Sequence, residues 1–265
     1  MALIYDVLFD SQTRVLSLLD KAGNVISSCE VPSKELVDDP NKPLMLRSLK
    51  NASTVKLIKN GTLSNTYQIS NNGEDWTDYT FGNEFILNNE DVVYFRCSAH
   101  PTTQSDSNFV QFVMTGEIEA WHNAYSMISS DFSSAEGSVG DYGMNRLFDY
   151  CSSLTKAPLL VNTLASNCYQ YMFRGCNPLT QAPYLPATNL AEGCYKQMFY
   201  GCSKLKEVRI AATTTATDAL TDWLYGVSAT GDFYCDPNAT IFPTNNVSGI
   251  PKGWTRRDIA DYPQT

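Results

Sequence analysis

Cysteine is the residue type in this sequence with the widest chemistry, because thiolates coordinate zinc, form disulfides and act as nucleophiles. The chain has eight cysteines, and the five in its repetitive region lie at positions 151, 168, 176, 194 and 202. Cys168 precedes Cys176 by eight residues, whereas zinc-binding pairs are typically separated by about two to four. No C-x-x-C pair occurs. Because free cysteine is commonly buried, we predict that these thiols are small core side chains and that they bind no metal.

Histidine, the commonest general base and metal ligand, occurs only twice. His100 precedes a proline in a polar segment, and His122 follows Trp121 near the end of a predicted strand. Neither has an obvious orienting carboxylate, and the sequence contains no G-x-S-x-G elbow. The segment Gly137-Ser-Val-Gly140 lacks the Lys-Ser/Thr of a phosphate-binding loop. We therefore predict surface histidines, no catalytic residues, no cofactor site and no enzymatic activity.

Tyrosine is abundant, with fifteen residues in the chain. Aromatic rings supply contact surface for sugars and proteins at a low entropic cost. Tyr171, Tyr184, Tyr195 and Tyr200 lie in the repetitive region and are the candidate contact residues. The sequence does not separate exposed tyrosines from buried ones, so all four stay candidates.

Composition and charge exclude several classes of partner. The chain has 265 residues, a net charge of -9 and a pI near 4.7. A surface with this charge repels phosphate backbones and anionic headgroups, so nucleic acid and membrane surfaces are poor partners. Residues 1–10 lack the pattern of a signal peptide, and no apolar run reaches the ~18 residues of a spanning helix. We expect synthesis in a cytoplasm, without export and without membrane insertion.

Alternating apolar and polar residues predict β-strands in the first half of the chain. Residues 1–43 are predicted to form an N-terminal β unit and linker, with a hairpin turn at Asp20–Asn24. Residues 44–128 are predicted to form a β-sandwich, which includes a tight turn at Asn72-Gly73. Residues 129–226 are predicted to be repeats, and residues 227–265 a C-terminal cap and tail.

A repeat of 25 or 26 residues organises the third region. Leu164, Cys168 and Met172 stand at i, i+4 and i+8, as on one face of a short helix, and the next copy repeats this spacing. Asn162 and Gly175 are the expected N-terminal and C-terminal caps. One helix and one short strand per copy predict a leucine-rich-repeat solenoid, in which stacked copies supply the core. The predicted fold class is mixed β plus an α/β solenoid.

The run from Met172 to Cys202 resembles the leucine-rich repeats of the BspA-like family of bacterial surface proteins. The segments VSATGDF, beginning at Val227, and GIPKGW, ending at Trp254, are similar to the C-terminal cap of such arrays in gut Bacteroidales and their crAss-like bacteriophages. The likeness covers about residues 45–255. It implies adhesion and display rather than one particular chemistry.

Two departures from the repeat motif mark its ends. Asp149-Tyr150 replaces the usual x-Gly before Cys151, and the third copy reads Val208-Arg209 where the others have Ala-Pro. We expect the first and third copies to be distorted ends of a short array.

The resemblance and the absence of an export signal predict a structural or adhesive protein of a bacteriophage virion, of head-fibre or tail-fibre type. The expected partners are other virion proteins, bound by the N-terminal unit, and a host-surface glycan or protein, bound by the repeats. Analogy with fibres predicts a homo-oligomer, with a trimer as the expected state. The alternative is a bacterial cell-surface BspA-like adhesin, and a weaker alternative is a glycan-binding or glycan-acting module.

Overall fold

The computed structural model describes residues 6–10, 15–30, 36–98, 104–130 and 139–263. Backbone contacts divide the chain into two compact units, residues 1–37 and residues 38–265. The fold is rich in β-structure, as predicted, and the helices of the described residues are two short 3₁₀ turns, Ala124–Met127 and Ile259–Asp261. The α-helical part of the predicted fold class is therefore wrong.

A three-stranded antiparallel sheet forms the described part of the first unit. Its strands β1 (Asp6–Asp10), β2 (Val15–Leu19) and β3 (Val25–Glu30) pair in sequence order. The Asp20 carboxylate holds the turn between β2 and β3, because its Oδ1 accepts hydrogen bonds from the backbone N–H of Ala22 (2.8 Å) and of Asn24 (2.9 Å). The predicted hairpin turn at Asp20–Asn24 is confirmed.

Two sheets share a core at the start of the second unit. The smaller sheet has the order β10-β5-β8, with β5 (Ser53–Asn60), β8 (Phe85–Leu87) and β10 (Phe109–Thr115). The larger sheet has the order β12-β11-β4-β9-β6-β7, with β4 (Leu44–Ser48), β6 (Tyr67–Ser70), β7 (Thr77–Tyr79), β9 (Val92–Cys97), β11 (Ile118–Trp121) and β12 (Leu154–Lys156). Phe95 of β9 meets Phe112 of β10 edge-on, with ring centroids 5.0 Å apart, so the two sheets contact each other.

The first copy of the repeat is joined to the six-stranded sheet. Its strand β12 lies parallel to β11, with Ile118 opposite Leu154. The backbone N–H of Ile118 donates to the carbonyl of Ser153 at 2.8 Å. The rings of Phe112 and Phe148 stack at 5.2 Å and 18°. The two-sheet segment and the repeats therefore share one continuous core.

Each predicted helix is instead a row of consecutive β-turns. The rows cover residues 141–150, 166–175, 192–201 and 217–226. Every fourth residue of a row has a positive φ, as at Asn167 (56°), Tyr171 (59°) and Gly175 (71°). An α-helix needs a negative φ at every residue, so the predicted helix between the caps Asn162 and Gly175 is wrong.

Hydrogen bonds between copies explain why a row of turns replaces a helix. The backbone N–H groups of Tyr169 and Tyr171 donate to the carbonyls of Cys194 and Lys196, 25 residues further on, at 3.0 Å each. The intervening N–H groups close turns to the carbonyl three residues earlier. In a helix all these donors would be satisfied within one copy. Here the neighbouring copy supplies half of the acceptors, so each row depends on the next.

Stacked aromatic rings run through the core of the copies. Phe148, Phe173 and Phe199 are fully buried, and their rings stack with centroid separations of 5.6 Å and interplanar angles of 8° and 7°. Trp223 contacts Phe199 at 6.4 Å and Phe233 at 6.0 Å, which closes this column at its C-terminal end. Corresponding residues of successive copies therefore meet in the core.

Parallel pairing also links the strand segments of the copies. Strands β13 (Glu207–Arg209), β14 (Gly231–Cys235) and β15 (Trp254–Asp258) form a parallel sheet in that order. Single parallel bridges extend the pairing to the preceding copy, from Gln181 to Glu207 and from Leu185 to Ile210. In the described part of the chain, no helix combines the length and the apolar character needed to cross a bilayer.

Candidate functional site

A groove of about 410 Å³ lies where the strand segments of two copies meet the C-terminal residues. It is lined by residues 155–159 and 180–184, by Arg209 of β13, by Tyr262 and by Asp38. Its volume falls in the range of about 300–1,000 Å³ that is usual for small-ligand sites. A larger hollow of about 510 Å³ on strands β13 to β15 has no aromatic ring among its described lining residues. The smaller groove is therefore the better candidate for ligand binding.

Two tyrosine rings contact the Arg209 guanidinium in the groove. Cζ of Arg209 lies 4.3 Å from the ring centroid of Tyr184 and 4.5 Å from that of Tyr262. Cations at these distances are attracted to the faces of aromatic rings. Tyr262 is itself held, because its hydroxyl donates to Oε1 of Glu207 at 2.8 Å and its ring packs edge-on against Tyr234 at 4.9 Å. These contacts fix the position of the arginine side chain.

Hydrogen bonds to Glu207 order one wall of the groove. Nε2 of Gln181 donates to Oε1 of Glu207 at 2.6 Å and also to the hydroxyl of Tyr262. Burial, reinforced by the Glu207 carboxylate, raises the pKa of Tyr262 to about 12. The Tyr262 hydroxyl is therefore protonated at neutral pH and serves as a donor to the carboxylate.

Lys156 and Asp38, which also line the groove, form an ion pair. Nζ of Lys156 lies 2.6 Å from Oδ2 of Asp38 and 3.9 Å from the ring centroid of Trp121. Oδ1 of Asp38 accepts the backbone N–H of His122 at 2.8 Å. Among the described residues that line the groove, Asp38 is the one carboxylate. The charge of Lys156 is therefore compensated within the protein.

The predicted contact tyrosines Tyr184 and Tyr195 have opposite environments. Tyr184 lies in the groove and is 39% exposed. Tyr195 is 1% exposed, because its ring stacks on Tyr169 at 6.0 Å and on Trp223 at 6.3 Å in the neighbouring copies. The prediction of Tyr195 as a contact residue is wrong, since its ring is part of the core.

Tyr171 and Tyr200 lie on the turn rows and do not line the groove. Tyr171 is half-buried, with its ring centroid 4.2 Å from Cζ of Arg146 and 4.4 Å from Cζ of Arg174. The ring of Tyr200 stacks on that of Tyr225 at 4.8 Å and 14°, and Tyr225 is 49% exposed. The stacked rings of Tyr200 and Tyr225 form a second aromatic surface, which we call the tyrosine ridge.

Arg209 and Tyr262 are groove residues that the sequence interpretation missed. Arg209 occupies the place of Pro158 and Pro183 in the earlier copies. This departure was expected to mark a distorted end of the array, but the structure places a groove-lining cation there. Tyr262 lies in the predicted C-terminal cap and tail, and no spacing in the sequence connects it with the groove.

Seven cysteines, from Cys97 to Cys235, are free and buried, and the burial of the five in the repetitive region was predicted. Sγ of Cys176 donates to the carbonyl of Phe148 at 3.1 Å, and Sγ of Cys202 donates to that of Phe173 at 3.0 Å. Burial raises the pKa of Cys202 to about 12, so its thiol is not ionised at neutral pH. In the part of the chain that the structure describes, no group of three or more His, Cys, Asp or Glu side chains is placed to hold a metal ion.

The prediction that His122 is a surface residue is wrong. Its side chain is 3% exposed, and its Nδ1 accepts a hydrogen bond from the backbone N–H of Asp39 at 3.1 Å. Burial lowers the pKa of His122, which keeps the imidazole neutral as this hydrogen bond requires. His100 lies outside the described residues.

The groove brings together an exposed aromatic ring, a fixed arginine and an amide side chain. Such groups pack on the apolar face of a sugar ring and donate hydrogen bonds to its oxygens. Comparisons with protein-family models, curated proteins and solved structures find no match to this chain. The chemistry of the groove is therefore what indicates a function.

Proposed function

We propose that this chain is a non-enzymatic adhesive protein and that its groove binds a saccharide on a target surface. The observation that carries the proposal is the contact between the exposed ring of Tyr184 and the guanidinium of Arg209, in a groove built from successive copies. The ring supplies a flat apolar surface and the guanidinium supplies hydrogen-bond donors. Because both side chains are already held in place, a ligand does not have to order them on binding.

The charges in the groove favour binding over hydrolysis. A glycosidase typically needs two carboxyl groups that flank the scissile bond, one as acid and one as base or nucleophile. Of the described groove-lining residues, only Asp38 carries a carboxylate, and Lys156 pairs with it at 2.6 Å. This arrangement supports an adhesive role for the groove.

The proposed setting is a bacteriophage virion, in which the chain is a head-fibre or tail-fibre protein. The N-terminal unit would dock on other virion proteins, and the repeats would contact the host surface. The separate three-stranded unit in residues 1–37 supports this division of labour. The likeness of the repeats to BspA-like leucine-rich repeats, whose stacked copies supply a core and an extended binding surface, supports it as well. By analogy with fibres, we propose a homotrimer.

Antibody labelling tests the proposed setting. Phage particles and uninfected bacteria from the same Bacteroidales culture are labelled with an antibody to this chain and imaged by electron microscopy. We expect labelled virions. Unlabelled virions together with labelled bacterial surfaces would overturn the virion assignment and favour the alternative, a bacterial cell-surface adhesin.

Adhesion of the purified full chain to host bacterial cells tests the groove. We expect Tyr184→Ala to weaken binding to cells about tenfold or more, as truncation of a central aromatic contact does. The matched control is Tyr225→Ala on the tyrosine ridge, because Tyr225 is 49% exposed and Tyr184 is 39% exposed. The control should bind as the wild type does. Loss of binding in the control, with Tyr184→Ala unaffected, would assign adhesion to the ridge and refute the groove.

A further inference from the structure

Arg209 differs from the other described arginines in its hydrogen bonding. The others each donate to a carboxylate, an amide oxygen or a backbone carbonyl: Arg47, Arg96, Arg146, Arg174, Arg256 and Arg257. Arg209 has no such bond and no ion pair within the described residues. Its Nε is buried without a partner, as is that of Arg146 and of Arg256, which donate through their terminal nitrogens instead. The side-chain donors of Arg209 therefore have no hydrogen-bond acceptor among the described residues.

The Arg209 side chain is nevertheless held in place. Its guanidinium contacts the rings of Tyr184 and Tyr262, and the Tyr262 hydroxyl is fixed by Glu207. A guanidinium positioned by rings rather than by a carboxylate keeps its hydrogen-bonding fork for a ligand. Little side-chain entropy is then lost when a ligand binds.

We propose that the groove recognises a carboxylate-bearing sugar of the uronic acid type. The carboxylate pairs with the guanidinium of Arg209, and the sugar ring packs on Tyr184. The inference rests on the saccharide-binding function proposed above and names its ligand class. Arginine favours this partner, because two parallel N–H donors match the two oxygens of a carboxylate. A neutral sugar would leave this charge without an ionic partner.

The local charge balance supports an anionic ligand at this position. The groove-lining residues include two cations, Lys156 and Arg209, and one carboxylate, Asp38, which gives a local charge of +1. Because Lys156 is paired with Asp38, Arg209 is the groove-lining cation without an ion-pair partner among the described residues. Glu207 on β13 adds a negative charge beside the groove, because its hydrogen bonds come from the neutral groups of Gln181 and Tyr262, but it forms no ion pair with Arg209. Because the whole chain carries a charge of -9, its long-range field repels anions, so the attraction comes from short contacts at Arg209.

Titration of the full chain with simple sugars tests the inference. The probes are D-glucuronate and D-galacturonate, each compared with D-glucose or D-galactose, which carry a hydroxymethyl group in place of the carboxylate. Dissociation constants are measured by NMR titration at constant ionic strength. We expect at least one uronate to bind about ten times more tightly than its neutral counterpart, as a charge-assisted pair provides.

Substitutions assign this preference to Arg209. Arg209→Gln should reduce the uronate preference to less than about twofold, and Arg209→Lys, which keeps the charge but loses the fork, should retain only part of it. The matched control is Arg257→Gln on β15, because Arg257 is exposed and already paired with Asp232 at 2.6 Å. The control should keep the full preference. Thermal unfolding of each variant shows whether it is folded. If Arg209→Gln is not folded, Arg209→Lys is used for the comparison instead.

Each result other than the expected one overturns a specific statement. If uronates and neutral sugars bind equally and Arg209→Gln changes nothing, the acidic ligand class is wrong and saccharide binding stands. If Arg257→Gln lowers the preference as much as Arg209→Gln does, the effect is one of net charge and the inference is wrong. If no probe binds and Tyr184→Ala leaves cell adhesion intact, the saccharide-binding function fails and the inference fails with it.

Discussion

Phe173 is the residue whose truncation tests the stacked core most severely. Its ring is fully buried and stacks on Phe148 and Phe199, each at a centroid separation of 5.6 Å. Replacing a buried phenylalanine by alanine typically costs about 3–5 kcal/mol, through lost transfer free energy and the cavity that remains. Because ring contacts are lost on two sides, we expect Phe173→Ala to lower the free energy of unfolding by about 4–5 kcal/mol. This is a large share of the ~5–15 kcal/mol of a typical domain.

Urea unfolding followed by tryptophan fluorescence measures this loss. Trp223 is a suitable reporter, because it is fully buried and contacts Phe199 at the end of the column. The matched control is Tyr150→Ala, since Tyr150 is 65% exposed and belongs to the first turn row. The control should change the free energy of unfolding by less than about 1 kcal/mol. A change of that small size in Phe173→Ala would refute the stacked core.

Three further outcomes follow from packing and ionisation. Gly231→Ala should lower the free energy of unfolding by about 2–3 kcal/mol, because its new Cβ would lie 2.7 Å from the Trp254 ring. The matched control is Gly201→Ala, whose new Cβ would have no atom closer than 4.0 Å but whose φ is +76°. It should lower the free energy of unfolding by about 1 kcal/mol, and thermal unfolding measures both losses. Burial lowers the pKa of His122 from 6.5, so the unfolded chain binds a proton at this imidazole more tightly than the folded chain does. The contribution of neutral His122 to stability is therefore complete above pH 6.5 and falls below it. His122→Gln should flatten the pH dependence of the urea midpoint below pH 6.5, and unchanged slopes would contradict this. In a Cys29→Ser chain, the seven remaining thiols, which are buried, should react with a thiol reagent only after unfolding, and fast labelling of the folded chain would contradict it.

The apolar pattern of the repeats predicted which residues are buried but not the path of the backbone. Leu164, Cys168, Met172 and Cys176 are spaced strictly by four. Four residues of a helix turn by about 400°, so such a line drifts by about 40° at each step, whereas it stays straight on a row of four-residue turns. The strict spacing by four, without this drift, was therefore the feature of the sequence that distinguished a row of turns from a helix. The hydrogen bonds that stabilise the turns run to another copy 25 residues away, so no local pattern shows them.

The groove could be predicted only in part for a similar reason. Tyr184 was found because aromatic residues in a repeat are natural contact candidates. Tyr195 has the same residue type and yet is buried, because its place in the copy faces Tyr169 and Trp223. Arg209 and Tyr262 meet only through the long-range pairing of β13 with the C-terminal strands. Residue type therefore indicated the chemistry, and tertiary pairing decided which side chains come together.

A crystal structure of the full chain soaked with D-glucuronate tests the assignment of the groove most directly. We predict electron density for the sugar in the groove, with its carboxylate about 3 Å from the terminal nitrogens of Arg209. The sugar ring should lie against Tyr184. Density for the ligand on the tyrosine ridge at Tyr200 and Tyr225, with no ligand in the groove, would contradict the assignment.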